Sequence, residues 1–258
     1  MKQSIVITDL TRMQEPKVCI AGYTKDVTCL RPVVPFRGIP EWFLRKDDCL
    51  IIRPFAVVEL DFLHPTPEAP HTEDWEIDRL YRRLVTAQLP EEKKLRLLER
   101  TASHAVADLF GAEIHHAMGF YVKAGQGQRS LGTLRPAEIC ELIYEAKADG
   151  KWDYRLVFKD QAAQTYRLAV TDLAYRCYLD YGRLQRNYPL DELLCRLARI
   201  FNQRTTFLRI GLARHWEKYP DRCHLQVTGI YTFPDYLRGR TFADFVPLEK
   251  ETTRNKNG

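Results

Sequence analysis

Residues 4–33 read SIVITDLTRMQEPKVCIAGYTKDVTCLRPV, and apolar and polar side chains alternate along them in three short runs. Residues 4–10, 17–22 and 28–33 each carry the two-residue period of a half-buried strand. The turn Gly22-Tyr23-Thr24-Lys25-Asp26 has hairpin composition, and Pro32 and Pro35 stop the third run.

Working outward, a longer β-rich run over 50–63 ends in the loop His64-Pro65-Thr66-Pro67-Glu68-Ala69-Pro70. There the period changes. Thr72 or Asp74 supplies an N-cap, Ile77, Leu80, Tyr81 and Leu84 recur at helical spacing, and Pro90 opens an amphipathic stretch through Leu95 and Leu98. Residues 120–123 predict a strand, and Gly125-Gln126-Gly127-Gln128 has the most flexible composition in the chain. Beyond it 131–134 is a short strand, 138–146 fits helix or strand, and 153–158 with 165–170 form a hairpin. Thr171 or Asp172 caps a helix through Tyr175, Leu179 and Gly182; Pro189 starts another, with Leu193, Leu197, Ile200 and Phe201 on one face. Residues 207–212 and 224–230 close the pattern as strands.

The fold class expected is mainly β with helical insertions, an α+β chain. Its alternation is too irregular for a doubly wound parallel sheet, and short strands in groups of about five suit two OB-like small β-barrels. The first is placed at 1–125 with a helical insert at about 71–118, the second at 126–250 with an insert at about 172–203, followed by a polar tail at 251–258.

At 258 residues, 45% hydrophobic and 28% charged, the chain suits one large or two small domains. Its longest apolar stretches, 55–60 and 139–143, are interrupted by Glu59 and Glu141, far short of the about 20 residues of a membrane span. The apolar run after Met1 is too short for a secretory signal, so a cytoplasmic protein with no membrane partner is expected. Seven scattered cysteines without a CxxC pair predict reduced thiols, no metal and no other cofactor. Cys19, Cys29 and Cys49 with His64 or His71 match no zinc-site spacing, and His115-His116 beside Glu113 is no better.

The net charge of +5 sits wholly in the last third: residues 171–258 carry 15 basic and 10 acidic side chains, whereas the rest balance. The same third holds 13 of the 29 aromatic residues. Interleaved cations and rings suit a single strand of DNA or RNA, which offers phosphates to Arg and unstacked bases to aromatic faces, although a Tyr-rich core under a solvated Arg face gives the same count. Arg12, Arg31, Arg53, Arg209 and Arg214, all close to strand ends, are the candidate phosphate contacts, with Tyr231 and Phe233 as candidate stacking rings. No phosphate-binding glycine loop survives, since residues 125–129 lack the required lysine and third glycine, and no GxSxG string is present. The alternative is an enzyme acting on nucleic acid or a nucleotide through His71, Glu73 and Asp74, where an imidazole and two carboxylates lie close together. The plainer reading of that segment is a helix cap. A third reading is a subunit that docks a protein partner in a larger assembly.

Thr11-Arg12-Met13, then Val18-Cys19-Ile20-Ala21-Gly22, then Leu30-Arg31-Pro32-Val33 resembles the opening of the bacterial dual OB-fold family, in which a polar-Arg-Lys element precedes a Cys-Ile/Val-Ala-Gly strand and an Ile-Arg-Pro turn. Met13 stands here in place of the lysine. Pro70-His71-Thr72-Glu73-Asp74 is similar to the family's acidic loop, and Gly211-Leu212-Ala213-Arg214 with residues 225–230 to its closing strands. The resemblance implies paired OB-like barrels with helical insertions that recognise nucleic acid or nucleotides, often in prokaryotic conflict or defence settings. It carries over no catalytic residue.

Overall fold

The computed structural model describes residues 1–13, 16–35, 38–46, 49–81 and 84–246. Its opening strands follow the alternation of residues 4–33. Strand β1 (Lys2–Arg12), β2 (Lys17–Tyr23), β3 (Cys29–Val33), β4 (Ala56–Pro65) and β5 (Asp74–Ile77) form a closed ring in the order β1-β2-β3-β5-β4, with β4 returning to pair β1. All contacts are antiparallel except β3 with β5, where Arg31 lies opposite Asp74. Gly22, near the end of β2, pairs both Ile7 and Leu30. A Cβ there would meet the Val6 carbonyl oxygen at 2.2 Å, so closure of the ring demands glycine.

Strand β6 (Leu84–Gln88) adds to β4, and helix α1 (Glu91–Thr101) leads to β7 (Phe120–Lys123) and β8 (Leu131–Leu134). A second set follows: β9 (Glu138–Ala146), β10 (Trp152–Lys159), β11 (Thr165–Val170), helices α2 (Leu173–Leu184) and α3 (Leu190–Gln203), β12 (Thr205–Leu212) and β13 (Arg222–Phe233). Their order, β9-β10-β11-β13-β12, repeats the first ring strand for strand, with the third and fifth again parallel. In both sets the first strand carries a bulge against the second, between Ile7 and Asp9 and between Ile139 and Glu141. The second set is left open by pairing: β8 takes the free edge of β12, and α3 packs on β9. Asn202 at the end of α3 closes that gap, its Oδ1 accepting from Ile139 N and its Nδ2 donating to Ile139 O, each at 2.8 Å. A partly open five-stranded barrel of this kind is an OB-type arrangement.

Continuous burial marks where the barrels meet. Residues Ile7 to Thr11 of β1, Thr206 to Leu212 of β12 and Val227 to Ile230 of β13 are buried on both faces, one toward the strand's own barrel and the other toward its neighbour. One apolar core therefore runs through both, from Ile7 and Val58 to Leu156 and Val227.

One sequence expectation changes and one open reading resolves. The helix expected through Ile77, Leu80, Tyr81 and Leu84, within the insert at 71–118, is absent: Asp74–Ile77 and Leu84–Gln88 are strands, and α1 is the α-helix there. Its spacing creates no buried face, because Leu80 is 92% and Leu84 44% exposed, while backbone pairing with β3 claims Asp74. Glu138–Ala146 resolves as a strand. Strand pairing also passes to the second set before Gly125, since β7 pairs β13. The Thr72 or Asp74 cap goes with the absent helix, whereas the later helix starts hold: the Asp172 side chain accepts from Tyr175 N, and Pro189 precedes α3, which buries Leu193, Leu197 and Phe201 along one face. The tail at 251–258 lies outside the described residues.

Candidate functional site

The seam between the barrels is polar at its centre. Asp9 of β1 receives Arg209 Nε at 3.0 Å and the Thr228 hydroxyl at 2.6 Å, and Arg209 Nη1 donates to Tyr23 Oη and Thr133 Oγ1 at 2.6 and 2.8 Å. Arg209 is 0% exposed. Burial works against its charge, but Asp9, Tyr23 and Cys29 together outweigh it and raise the guanidinium well above its ordinary value. Through Nε and Nη1 this buried arginine of the second barrel is bonded to Asp9 and Tyr23 of the first. Alongside it Arg12 N donates to Thr171 O, and Asp172 accepts from Tyr175 N and Ile230 N at 3.1 and 2.8 Å. Burial pushes the Asp172 carboxyl up to about 6.

Two clefts flank this seam. Thr11 lines the first, and Asp172, its bridge partner, lines the second.

The first cleft encloses about 490 Å3 and brings together Arg12, Arg31 and Arg214. Its wall is the β2–β3 face, with Val18, Cys19, Arg31 and Pro32; Thr66 and Glu68 from the β4–β5 connection and Ala213 and Arg214 from the β12–β13 connection complete it. Asp74 joins two of the arginines: its Oδ1 accepts from Arg31 Nε at 2.5 Å, and its Oδ2 pairs with Arg214 Nη2. Arg31 Nη1 donates to Ser130 Oγ at 3.1 Å, and that hydroxyl donates to Glu73 Oε1 at 2.5 Å, with the Ser130 N–H donating to the same carboxylate. Burial opposes the Arg31 charge, yet Cys19, Asp74 and Glu73 together raise its pKa. Arg12 bonds Glu41 at 2.6 Å. The Arg12 and Arg214 side chains stay partly open, at 15% and 23% exposure, while Arg31 lies beneath them.

The same geometry places the alternative proton-transfer residues. His71, Glu73 and Asp74 are all buried, Glu73 is bonded to Ser130, and both Asp74 oxygens hold guanidinium groups. Glu73 and Asp74 thereby tie the β5 edge to Ser130 and Arg214. The cysteines are free thiols; burial pushes Cys29 up to about 12 and raises Cys19 in the cleft wall.

A dual OB-containing domain model matches residues 3–230. The chain belongs to the dual OB-containing domain family. No curated protein matches it. Within the dual OB domain, the cleft wall coincides with the residues of the opening motif: Arg12, Cys19 and Arg31-Pro32 all line it.

The second cleft gathers Arg53, Tyr231 and Phe233, the remaining candidates apart from the buried Arg209. Phe55 and Tyr231 meet edge to face with centroids 4.6 Å apart, and the Tyr231 hydroxyl donates to Thr8 O at 2.9 Å. Phe55 is held at φ 63°, a left-handed conformation uncommon for a bulky residue, by its N–H to Ile7 O and its carbonyl to Leu89 N. Sequence reading missed Lys94 and Arg240 here, along with Asp9 and Ser130 at the seam. Lys94, Asp9 and Ser130 meet partners in distant segments, so no short-range pattern announces them.

Proposed function

We propose that the chain is a non-enzymatic module that binds nucleic acid or a nucleotide in the first cleft. The observation that supports this is the composition of the wall: the β2–β3 face and a β4–β5 type connection from each barrel are the surfaces with which OB folds take oligonucleotides. Guanidinium groups from both barrels converge there and suit a phosphate by two-pronged contact. Glu68, in the same wall, suits base amino groups as an acceptor. A cytoplasmic setting keeps the thiols reduced. A place in a prokaryotic defence system rests on the family resemblance alone.

Filter binding of a short single-stranded oligonucleotide at two ionic strengths tests the reading. Affinity is expected to fall with salt, and Arg214→Ala to weaken it by about 1 to 3 kcal/mol. Salt-independent binding, or an unchanged affinity in Arg214→Ala, contradicts it. Arg31→Ala is the less informative variant, since leaving Asp74 without its buried partner costs about 3 to 5 kcal/mol of stability.

A further inference from the structure

The two clefts differ in how their charge is balanced. In the first, every arginine faces a carboxylate. The second holds Arg53, Lys94 and Arg240, and among the described residues none of these is ion-paired: Arg53 Nε donates to the Gln88 amide oxygen at 3.2 Å, Lys94 lies over the Phe55 ring, and Arg240 lies over Phe245 and donates to Leu237 O. Three acids line that cleft: Glu91 opens α1, and the other two are engaged by backbone. Asp172 accepts from Tyr175 N and Ile230 N, and Asp235 from Leu237 N and Gly239 N. Nearby Asp244 is held below the usual carboxylate range by the Thr241 N–H and, at longer reach, by Arg240 and Arg53.

Between these cations the walls are flat and apolar, formed by Phe55, Tyr231 and Phe233 around a cavity of about 250 Å3. The Tyr236 hydroxyl, buried in the same lining, has no hydrogen-bond partner among the described residues. Cations without an ion-pair contact among the described residues, set around aromatic walls, fit an anion attached to a planar ring, and the volume admits one such ring. We propose that the second cleft is a separate site for a single nucleotide, its base between Tyr231 and Phe233 and its phosphate at Arg53 and Arg240. This goes beyond the first cleft and does not depend on it. The shared chemistry is a 5′-phosphate on a nucleoside, whether free or at the end of a strand.

Calorimetric titration with AMP, adenosine and a trinucleotide with or without a 5′-phosphate tests the site. AMP, or the phosphorylated trinucleotide in preference to its 5′-hydroxyl form, is expected to bind. Arg53→Gln with Arg240→Gln, at the cleft rim, is expected to weaken that binding by about tenfold or more while leaving adenosine within about twofold. Arg214→Ala, in the first cleft, is expected to leave AMP binding intact and to weaken longer oligonucleotides. Failure of both phosphorylated probes to bind at about 1 mM overturns the proposal, as does binding unchanged in the rim variant. If the oligonucleotide alone fails, the first cleft is refuted and this one stands.

Discussion

Asp172 is the residue whose environment makes the sharpest solution prediction. Its carboxyl is raised by burial from the ordinary value of about 4 to about 6, so the native state holds its proton through a range in which the unfolded chain has lost it. The sign follows: its contribution to stability is most favourable below about pH 4 and is lost as pH rises through about 6. Asp172→Asn keeps a capping oxygen and removes the titration. Relative to that variant, the wild type is expected to lose roughly 3 kcal/mol between pH 4 and pH 7, measured by urea unfolding. A difference that stays flat with pH contradicts the assignment. The residue's place as an N-cap was legible in the sequence, because a short polar side chain stands just ahead of an apolar helical period. Its second bond, to Ile230 N, was not, because that partner lies 58 residues away.

At the scale of elements, the outcome separates local signals from those that need a partner. Alternation predicted the opening strands, and Pro189 and Asp172 marked helix starts, since each acts on its own backbone. Ile77, Leu80, Tyr81 and Leu84 have helical spacing, but Leu80 and Leu84 are exposed, and strand pairing takes Ile77 into β5 and Leu84 into β6. Gly22 shows the same dependence. In sequence it is one letter of a Cys-Ile-Ala-Gly strand; in the barrel it is where β1 crosses β2 at backbone contact. Gly22→Ala is expected to destabilise the protein by about 3 kcal/mol or more, the upper range of overpacking, because the obstructing atom is a carbonyl oxygen and not a pliable side chain. Thermal melting of the variant checks this, and a melting temperature within error of the wild type contradicts the close crossing.

For the whole molecule, the junction is the organising feature. Two copies of one strand order meet along β1, β12 and β13, and the buried Arg209–Asp9 pair bonds one to the other. Five arginines near strand ends could be picked from the sequence, but their fates differ: Arg12, Arg31 and Arg214 share one cleft, Arg53 belongs to the other, and Arg209 is sealed between them. Nothing along the chain distinguishes these outcomes, since each depends on which barrel face the strand end meets. The most direct measurement is an amide chemical-shift map of the labelled protein titrated with a short single-stranded oligonucleotide. Shifts are expected to concentrate in residues lining the first cleft, Thr11 to Met13, Arg31 to Val34, Glu68, Asp74 and Leu212 to Arg214. Shifts confined to the outer face of α3, or none at saturating oligonucleotide, would show that the barrel junction is not where nucleic acid binds.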